Sequence, residues 1–484
     1  MMAIPKRVVI VGGGISGLSA AFALLERASG RNAPFRCTVV EGQDYLGGKI
    51  LTNRRDGVIT EGAPDSFLTT KPEALALCEK LGLSSQLINT NQENAQTFIY
   101  SKGRLRQFPQ GLISMVPTKF GPLFHSGVLS WAGIVRMGAD WVIPCRARAK
   151  DEETLAEFFS RRLGGEAFDR LIEPLVAGIY AGDANELSAD ATFPHLVELE
   201  RKYGSLIKGA LATQQSRSSH QPGAKPRTLF TTLRGGLGDL ITSLTERLSG
   251  AGVSLRRGTS VRAVHIPGSQ TEPPYRLELE GGGVLDAEAV ILATPAYVSA
   301  NLLRPFDDEA STLLDQIPYA STMTISMVFP EPEVKGLIRG YGFVVPRVEN
   351  LSLIAATWSS MKWAERAPAG QCLVRCYLGR RGREDLLDSN DSELTERACR
   401  ELEAIVGIQS RPLHVEVYRW PRAMPQYIRG HCERVRHIRE RVARRPGLYV
   451  TGAAYDGIGI PDCIRDSEQT SAKLSAYLWD RASV

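Results

Sequence analysis

The sequence predicts an α/β protein in which a parallel sheet flanked by helices stands beside a mixed antiparallel sheet and a helical insertion. Three observations predict this class. A strand, a glycine-rich turn, a helix and a second strand follow one another within residues 6–41. Two later apolar runs, at 289–295 and 448–452, have the pattern of buried strands. Between about residues 300 and 430, apolar and polar residues alternate as in antiparallel strands.

Composition places the chain among soluble globular proteins with more than one domain. Its 484 residues are too many for one core, and 43% of them are hydrophobic against 23% charged. The net charge of +5 is too small to predict nucleic-acid binding. The eight cysteines form no CxxC pair, so neither a zinc site nor a dithiol motif is indicated. Free thiols and the lack of a long apolar run predict a cytoplasmic protein without a spanning helix.

Residues 6–41 have the order of elements that gives a GxGxxG motif its meaning. The apolar run Lys6–Val11 predicts a buried parallel strand, and Gly12–Gly17 follows it directly. A helix is predicted from Leu18 to Arg27, and a second strand from Arg36 to Val40. A glycine-rich turn that binds no ligand is the alternative, but such a turn does not require a strand before it and a helix and a second strand after it. The segment therefore predicts a Rossmann-like unit that binds the ADP half of a dinucleotide.

Each glycine of the motif has its own predicted role. Gly12 permits the tight turn, Gly14 lets the backbone approach a pyrophosphate, and Gly17 lets the helix pack closely on the strand. The helix N-terminus then faces the negative charge of the phosphates. Glu41 is predicted to accept hydrogen bonds from ribose hydroxyls, which argues against a 2′-phosphate. The predicted contacts in this segment are Gly12, Gly13, Gly14, Ile15, Ser16, Gly17, Glu41 and Gly42.

Two further motifs decide which dinucleotide is expected. With Gly47-Gly48-Lys49 and with the Glu61–Ser66 segment, the sequence resembles the flavin amine oxidase superfamily, and this resemblance implies FAD. It implies that the glycine pair extends along the pyrophosphate and that the second segment approaches the flavin. A simple hairpin turn is the alternative for the glycine pair. The cofactor contacts implied here are Gly47, Gly48, Lys49, Gly62, Ala63, Pro64 and Asp65.

Later parts of the chain extend the same resemblance. Ser254 to Val264 is predicted to be one strand, and Val261 stands where family members contact adenine. Trp420 matches a position that flanks the flavin, with a core tryptophan as the alternative. A helix from about Pro461 to Leu478 follows a glycine-rich turn and would direct its positive N-terminal dipole at the flavin. A plain strand-to-helix connection is the alternative. The contacts implied in this turn are Gly452, Asp456, Gly457, Ile458, Gly459 and Ile460.

The resemblance also implies how the chain is divided. A discontinuous, Rossmann-like FAD-binding domain is expected to comprise about 1–95, 225–300 and 435–484. A helical insertion at about 100–210 and a substrate-binding domain of mixed antiparallel sheet at about 300–430 complete the predicted organisation.

Within this superfamily, two segments narrow the resemblance. The run Gly-Ile-Gly-Ile-Pro-Asp-Cys-Ile at 457–464 and the segment Glu173–Asp183 are similar to those of the soluble-type bacterial porphyrinogen oxidases of haem synthesis. The resemblance implies oxidation of protoporphyrinogen IX or coproporphyrinogen III in three rounds of flavin reduction. Molecular oxygen is then the acceptor and hydrogen peroxide the product. The chemistry needs no metal and no catalytic side chain, because the macrocycle gives up hydride directly to FAD.

Substrate propionates need a cationic partner, and the stretch Lys102–Pro109 is the best candidate. Arg106 matches an arginine that faces a propionate in some family members, and its planar guanidinium suits a carboxylate. Lys102 is a weaker candidate, and a solvated hairpin is the alternative for both residues. Gly178 is expected to line the cavity where a side chain would block a flat macrocycle. Its alternative is a helix irregularity.

Several alternatives stay open from the sequence. An amine oxidase or a carotene desaturase would share the FAD motifs, and a non-catalytic escort protein would share the fold. The apolar stretch 111–143 is either a cavity wall or a surface for weak peripheral contact with the inner face of the cell membrane. The arginine-rich run 429–445 is either a solvated face or a site for anionic lipid. Hand-off of the product to a later enzyme of haem synthesis is also expected. The sequence does not choose between the two porphyrinogens or predict an oligomeric state.

Overall fold

The computed structural model describes residues 5–93, 95–146, 152–217, 227–266 and 274–480. Elements are numbered in chain order through these residues. The strands are β1 Lys6–Val11, β2 Phe35–Val40, β3 Thr52–Arg55, β4 Val58–Glu61, β5 Phe67–Leu68, β6 Leu87–Asn89, β7 Phe98–Ser101, β8 Arg104–Gln107, β9 Leu112–Ile113, β10 Val116–Pro117, β11 Phe230–Leu233, β12 Ser254–Arg256, β13 Val261–His265, β14 Tyr275–Leu279, β15 Val284–Ala287, β16 Ala289–Leu292, β17 Tyr319–Pro330, β18 Gly342–Val344, β19 Leu353–Trp358, β20 Gln371–Leu378, β21 His414–Pro425 and β22 Leu448–Val450.

The helices are α1 Ile15–Gly30, α2 Glu73–Lys80, α3 Gly121–Ser126, α4 Trp131–Gly138, α5 Leu155–Leu163, α6 Gly165–Ala167, α7 Glu173–Tyr180, α8 Ala189–Thr192, α9 Pro194–Tyr203, α10 Leu206–Arg217, α11 Gly238–Gly250, α12 Ala296–Leu303, α13 Asp308–Asp315, α14 Glu331–Val334, α15 Ser359–Lys362, α16 Asp391–Val406, α17 His431–Ala443 and α18 Ile460–Ser475. None of these described helices is both long enough and apolar enough to cross a membrane.

A five-stranded parallel sheet is assembled from distant parts of the chain, in the order β12-β2-β1-β16-β22. The central strand β1 is apolar throughout its second half because both of its faces are covered. Val8 and Ile10 enter a core with α1, α11 and α18. Val9 and Val11 enter a second core with α12, α13 and α17. The predicted α/β class with a Rossmann-like unit is thereby confirmed.

The second large sheet has seven strands in the order β21-β17-β20-β19-β18-β7-β8. All of its pairs are antiparallel except β18 with β7, so it is the predicted mixed antiparallel sheet. Its longest strands, β17 and β21, have 12 residues each. One face packs against α16 in a core of its own.

Helices α3 to α10 enclose a separate core, as expected for a helical insertion. At its base lies Arg162, which has no exposed surface. Its guanidinium forms an ion pair of 2.5 Å with the equally buried Asp140 and donates to the carbonyl oxygens of Asp140 and Gly204. Asp140 in turn accepts from the Ser205 hydroxyl at 2.6 Å and from the backbone N–H of Ile207. This network joins the segment after α4 to the start of α10.

The structure differs from the sequence prediction in two places. The single strand expected from Ser254 to Val264 is wrong, because a turn at Gly258 with φ +60° separates β12 from β13. The first belongs to the parallel sheet and the second to an antiparallel sheet with β14 and β15. In addition, residues 98–107 form β7 and β8 of the seven-stranded sheet, and the first helix after them begins only at Gly121.

Candidate cofactor and substrate site

The three glycines of the GxGxxG motif at residues 12–17, called the fingerprint below, differ in their surroundings. Gly12 has φ +108°, and a Cβ built on it would lie 2.6 Å from the carbonyl oxygen of Ala293. A Cβ on Gly17 would lie 1.9 Å from the carbonyl oxygen of Gly12, so close packing requires glycine at both positions. A Cβ on Gly14 would meet nothing nearer than the Cα of Gly48, at 3.9 Å. Gly14 therefore faces open space, as a backbone that approaches a ligand must.

The first turn of α1 is suited to an anion. Gly14 is its N-cap, and no side-chain oxygen accepts from the first N–H groups of the helix. These donors and the positive end of the helix dipole open next to the space in front of Gly14. The donors and the free space together fit the pyrophosphate of a dinucleotide.

The carboxylate of Glu41 turns back from the end of β2 onto the fingerprint. Its Oε2 accepts from the backbone N–H of Gly13 at 2.7 Å. The next residue, Gly42, packs against Ser260, whose Oγ would lie 3.0 Å from a Cβ on that glycine. Val261 begins β13 directly after Ser260. Glu41 therefore contacts the glycine turn, and Val261 directly follows the serine that Gly42 contacts.

The glycine pair at 47–48 lies directly on the fingerprint and is not an isolated hairpin. The N–H of Gly47 donates to the carbonyl oxygen of Gly13 at 2.8 Å, and Gly47 forms a bridge with Gly14. Gly48 has φ +61° and lies so close to Gly14 that a Cβ on it would be 3.2 Å from the Cα of Gly14. Lys49 follows, and desolvation lowers the pKa of its ammonium group.

The C-terminal turn reaches the same place from the far end of the chain. Gly452 has φ +130°, and a Cβ on it would lie 3.7 Å from the Oγ of Ser16 in the first turn of α1. Its N–H donates to the carboxylate of Asp466 at 3.0 Å. Further along, the N–H of Gly457 donates to the hydroxyl of Tyr427 at 2.8 Å. The turn is thus fixed between α1, α18 and the end of β21.

The remaining residues of that turn have separate environments. Gly459 is the N-cap of α18 and Ile460 its first residue. Ile458 packs against the core of the helical insertion. Asp456, by contrast, is exposed and pairs with Arg439 at 2.5 Å. The carboxylate of Asp456 therefore already has a protein partner, and a contact of this residue with the cofactor stays a prediction.

The Gly62–Asp65 turn lies between β4 and the seven-stranded sheet. A Cβ on Gly62 would be 3.2 Å from the indole of Trp420, and the indole N–H donates to the Gly62 carbonyl oxygen at 2.9 Å. Trp420 is only half-buried. Ala63 and Pro64 continue the turn. Trp420 is therefore bonded to the predicted flavin-facing turn and is not enclosed in a core.

Asp65 ends this turn and points into a set of donors on the protein. Its carboxylate accepts from the Lys362 ammonium at 3.0 Å, the Trp363 indole at 3.2 Å and the Ser66 hydroxyl at 2.6 Å. Burial opposes ionisation of Asp65, but Lys362 and then Arg375 outweigh burial and hold its pKa well below the ordinary value. Asp65 is therefore an anchor for the turn in this structure.

The two predicted substrate contacts lie on different elements, Arg106 on β8 and Gly178 on α7. Arg106, on β8, is half-buried, and its Nε donates weakly to the Ser101 carbonyl oxygen at 3.4 Å. No carboxylate pairs with it among the residues that the structure describes. Arg170, just before α7, donates to the hydroxyl of the same serine at 3.0 Å. Gly178 lies on α7, is exposed, and has room for a side chain. Lys102 is exposed on the hairpin tip.

One anchoring residue was missed by the sequence reasoning. Asp466, which is 4% exposed, accepts from the Thr451 hydroxyl at 2.6 Å and from Gly452, and it pairs with Arg439 at 2.7 Å. Burial raises its pKa, and Arg439 and the hydrogen bonds oppose that shift. Its sequence signal was available: an acid four positions after Asp462 falls on the same, inward face of an amphipathic helix.

Comparison with known proteins gives this site its class. The family model described as flavin containing amine oxidoreductase matches residues 15–475. The chain therefore belongs to this family of flavoprotein oxidoreductases, and its cofactor is FAD.

More particular relatives confirm the narrower resemblance. The chain is 37% identical to the coproporphyrinogen III oxidase of Bacillus subtilis (strain 168), over 98% of this chain and 99% of that protein. It is 30% identical to the chloroplastic protoporphyrinogen oxidase 1 of Spinacia oleracea, over 97% of this chain and 84% of the relative. A crystal structure from Exiguobacterium sp. 255-15 matches with a TM-score of 0.84 and 32% identity, covering 97% and 98% of the two chains.

Proposed function

We propose that the chain oxidises a porphyrinogen to the porphyrin in haem biosynthesis, either coproporphyrinogen III to coproporphyrin III or protoporphyrinogen IX to protoporphyrin IX. The observation that carries this proposal is similarity over nearly the whole chain to relatives of both names. Each substrate loses three pairs of electrons with their protons. Molecular oxygen takes up each pair and leaves as hydrogen peroxide, so the atoms balance over three rounds. The porphyrin then passes to a later enzyme of haem synthesis.

In this proposal the cofactor lies along the glycine-lined surface. FAD, when bound, accepts a hydride in each round. The N-terminus of α1 holds the pyrophosphate, Glu41 binds the ribose, and Val261 contacts the adenine. The 62–65 turn, Trp420 and the N-terminus of α18 flank the flavin. The open space in front of Gly14 and the uncapped donors of α1 support this placement.

We also assign a role to each region of the chain. Segments 1–95, 225–300 and 435–484 form the FAD-binding domain, as the strand order of the parallel sheet supports. Residues 300–430 provide the substrate-binding sheet and residues 100–210 the helical insertion, except that β7 and β8 join that sheet.

The chain's own residues bind and orient the substrate. Arg106 binds a propionate through its guanidinium, which has no carboxylate partner in the described structure. Gly178 leaves a flat surface on α7 for the macrocycle. Removal of hydride needs the reacting carbon to be held at the flavin, and water to be excluded, more than it needs an acid or a base.

The first test supplies the purified protein with freshly reduced coproporphyrinogen III and protoporphyrinogen IX in air, in parallel. Porphyrin fluorescence is followed against a blank without enzyme, and peroxide is assayed at the end. We expect faster fluorescence with at least one substrate, and the ratio of kcat/KM chooses between the two. A flavin-loaded preparation that accelerates neither reaction would refute the proposal.

We also propose a peripheral membrane contact through an exposed apolar patch on the helical insertion. Trp131 and Val135 on α4 are 75% and 69% exposed, and Val142 is 81% exposed. The ring of Phe124 lies against that of Trp131, with centroids 4.6 Å apart and planes inclined by 39°. Exposed patches of this kind are uncommon on soluble monomers. The opposite side of the segment is buried in the helical core, so the exposed side chains are the ones free to meet a membrane surface.

Sedimentation with vesicles of phosphatidylcholine and phosphatidylglycerol tests this contact. We expect the double variant Trp131→Ser, Val142→Ser to lose vesicle binding. Leu413→Ser, which removes a residue 61% exposed on another face, is the matched control and should bind like the wild type. Equal sedimentation of the wild type, the double variant and the control would refute the proposed membrane contact.

The arginine-rich run 429–445 offers less free positive charge to an anionic lipid surface than its composition indicates. Arg429, Arg436, Arg439 and Arg441 each pair with a carboxylate of the chain. Their charge is therefore largely compensated within the fold, which favours the solvated face over a site for anionic lipid.

A further inference from the structure

Three side chains of the seven-stranded sheet hold the carbonyl oxygens of two successive residues in the 62–65 turn. The Gly62 oxygen accepts from the Thr324 hydroxyl at 2.6 Å and from the Trp420 indole at 2.9 Å. The Ala63 oxygen accepts from Nη2 of Arg375. The three donors come from β17, β21 and β20, which are neighbours in the sheet. The turn is thus tied to the sheet at two consecutive peptide groups.

Two of these donors, Thr324 and Arg375, are deeply buried, and Arg375 is the more unusual of the two. Thr324 is 5% exposed and Arg375 2% exposed. Nε and Nη1 of Arg375 have no hydrogen-bond partner in the described structure. Its guanidinium lies 5.0 Å from the centre of the Tyr377 ring and within electrostatic reach of Asp65. A buried cation with unmade hydrogen bonds is costly, so its retention calls for a role.

The clamped carbonyls determine where the backbone N–H of the turn points. The described peptide bonds are trans, so the C=O and N–H of one peptide group point in opposite directions. Because the Gly62 oxygen points to the sheet, the N–H of Ala63 points away from it. No acceptor for this N–H occurs among the described residues. Pro64 has no N–H, so Ala63 supplies the one donor of these two peptide groups.

We propose that Thr324, Arg375 and Trp420 are positioning residues that present the Ala63 N–H to the ring system of FAD. This inference rests on the proposed placement of the flavin beside the 62–65 turn. Backbone N–H groups in folded proteins nearly always have an acceptor, and an acceptor atom on the cofactor would supply the one that Ala63 lacks among the described residues. The sheet that carries the substrate thereby also sets the position of the flavin. Hydride transfer is sensitive to that distance, so the clamp acts on the rate of the chemical step.

The sharpest test removes one hydroxyl without changing shape. Thr324→Val deletes the donor to Gly62, and Thr324→Ser keeps it. The matched control is Ser326→Ala, on the same face of β17, because the buried Ser326 hydroxyl has no partner in the described structure. Visible absorption, visible circular dichroism and the midpoint potential of bound FAD are measured in the purified holoenzyme, together with kcat and KM.

We expect Thr324→Val to change the flavin circular dichroism and midpoint potential and to lower kcat by about tenfold, which corresponds to about 1.4 kcal/mol. KM should stay the same, Thr324→Ser should resemble the wild type, and Ser326→Ala should change nothing. Wild-type flavin spectra and potential in Thr324→Val would overturn the proposal. So would a Ser variant as impaired as the Val variant.

A second pair of variants tests the arginine. Arg375→Met removes the donor to Ala63, and Arg366→Met is its control. Arg366 is also 2% exposed and also donates to backbone carbonyls, at 2.7 and 2.9 Å, but those belong to Arg234 and Leu233. We expect both variants to lose stability and only Arg375→Met to alter the flavin spectra. Equal flavin spectra in the two variants would overturn the proposal that Arg375 helps to position the flavin. These spectra need no substrate, so they test the clamp even where porphyrinogen oxidation fails.

Discussion

The variant Gly14→Ala tests whether the open space in front of Gly14 serves cofactor binding and not folding. A Cβ on Gly14 has no neighbour closer than 3.9 Å, and Gly14 has φ −72° and ψ 179°, which alanine also adopts. The folded apoprotein therefore has room for the methyl group. A Cβ on Gly17 would instead lie 1.9 Å from the Gly12 carbonyl oxygen and force the backbone apart. Gly17→Ala is the matched comparison.

The expected magnitudes follow from these geometries. Alanine is a poorer N-cap than glycine by about 1 kcal/mol. Alanine also restricts the unfolded chain, which stabilises the fold by about 0.4–1 kcal/mol. For Gly14→Ala the two effects nearly cancel, so the free energy of unfolding of the apoprotein should stay within about 0.5 kcal/mol of the wild type. Gly17→Ala should lose about 1–3 kcal/mol through overpacking.

The assay compares urea unfolding of the apoproteins with titration of each by FAD. We expect Gly14→Ala to fold like the wild type and to bind FAD at least about tenfold more weakly, a loss of about 1.4 kcal/mol or more. Gly17→Ala should fail in both measurements. An affinity of Gly14→Ala equal to that of the wild type would refute the assignment of the open space to the pyrophosphate.

Three further outcomes are expected. Burial raises the pKa of Glu61 to about 7. Between about pH 4.5 and 7 the folded state therefore holds a proton that the unfolded state releases, and the free energy of unfolding falls as the pH rises through this range. Glu61→Gln should unfold in urea with a flatter pH dependence, and an unchanged slope would contradict the shift. Arg162→Met should lose about 3–5 kcal/mol of unfolding free energy in urea because it leaves Asp140 buried without its partner. A loss under about 1 kcal/mol would contradict this. Arg106→Ala should raise KM for a porphyrinogen while FAD stays bound, and unchanged KM and kcat would exclude its proposed role.

The nucleotide-binding unit was predictable because its determinants are local. Strand β1 begins and ends at Lys6 and Val11 as predicted, since the apolar run and the glycines bound it on both sides. The pair at 47–48 could be placed near the fingerprint only through the family resemblance, because the contact of Gly47 with Gly13 joins separate loops.

Long-range pairing and buried polar contacts were not predictable in the same way. Nothing near residues 98–107 indicates that β7 pairs in parallel with β18. Periodicity predicted strands near Thr324 and Arg375, but it does not show which backbone carbonyl a buried donor finds. An arginine inside the apolar run 371–378 was the available signal that a charge is buried there.

The strand order of the parallel sheet has a consequence for synthesis of the protein. Helix α18 packs along α1, and strand β22 closes one edge of the sheet, yet both lie beyond residue 447. At about 5–20 residues per second, a ribosome needs on the order of a minute to reach them after α1 has emerged. During that time the apolar face of α1 lacks part of its cover. With FAD placed as proposed, we therefore expect stable cofactor loading to follow translation of the C-terminal turn.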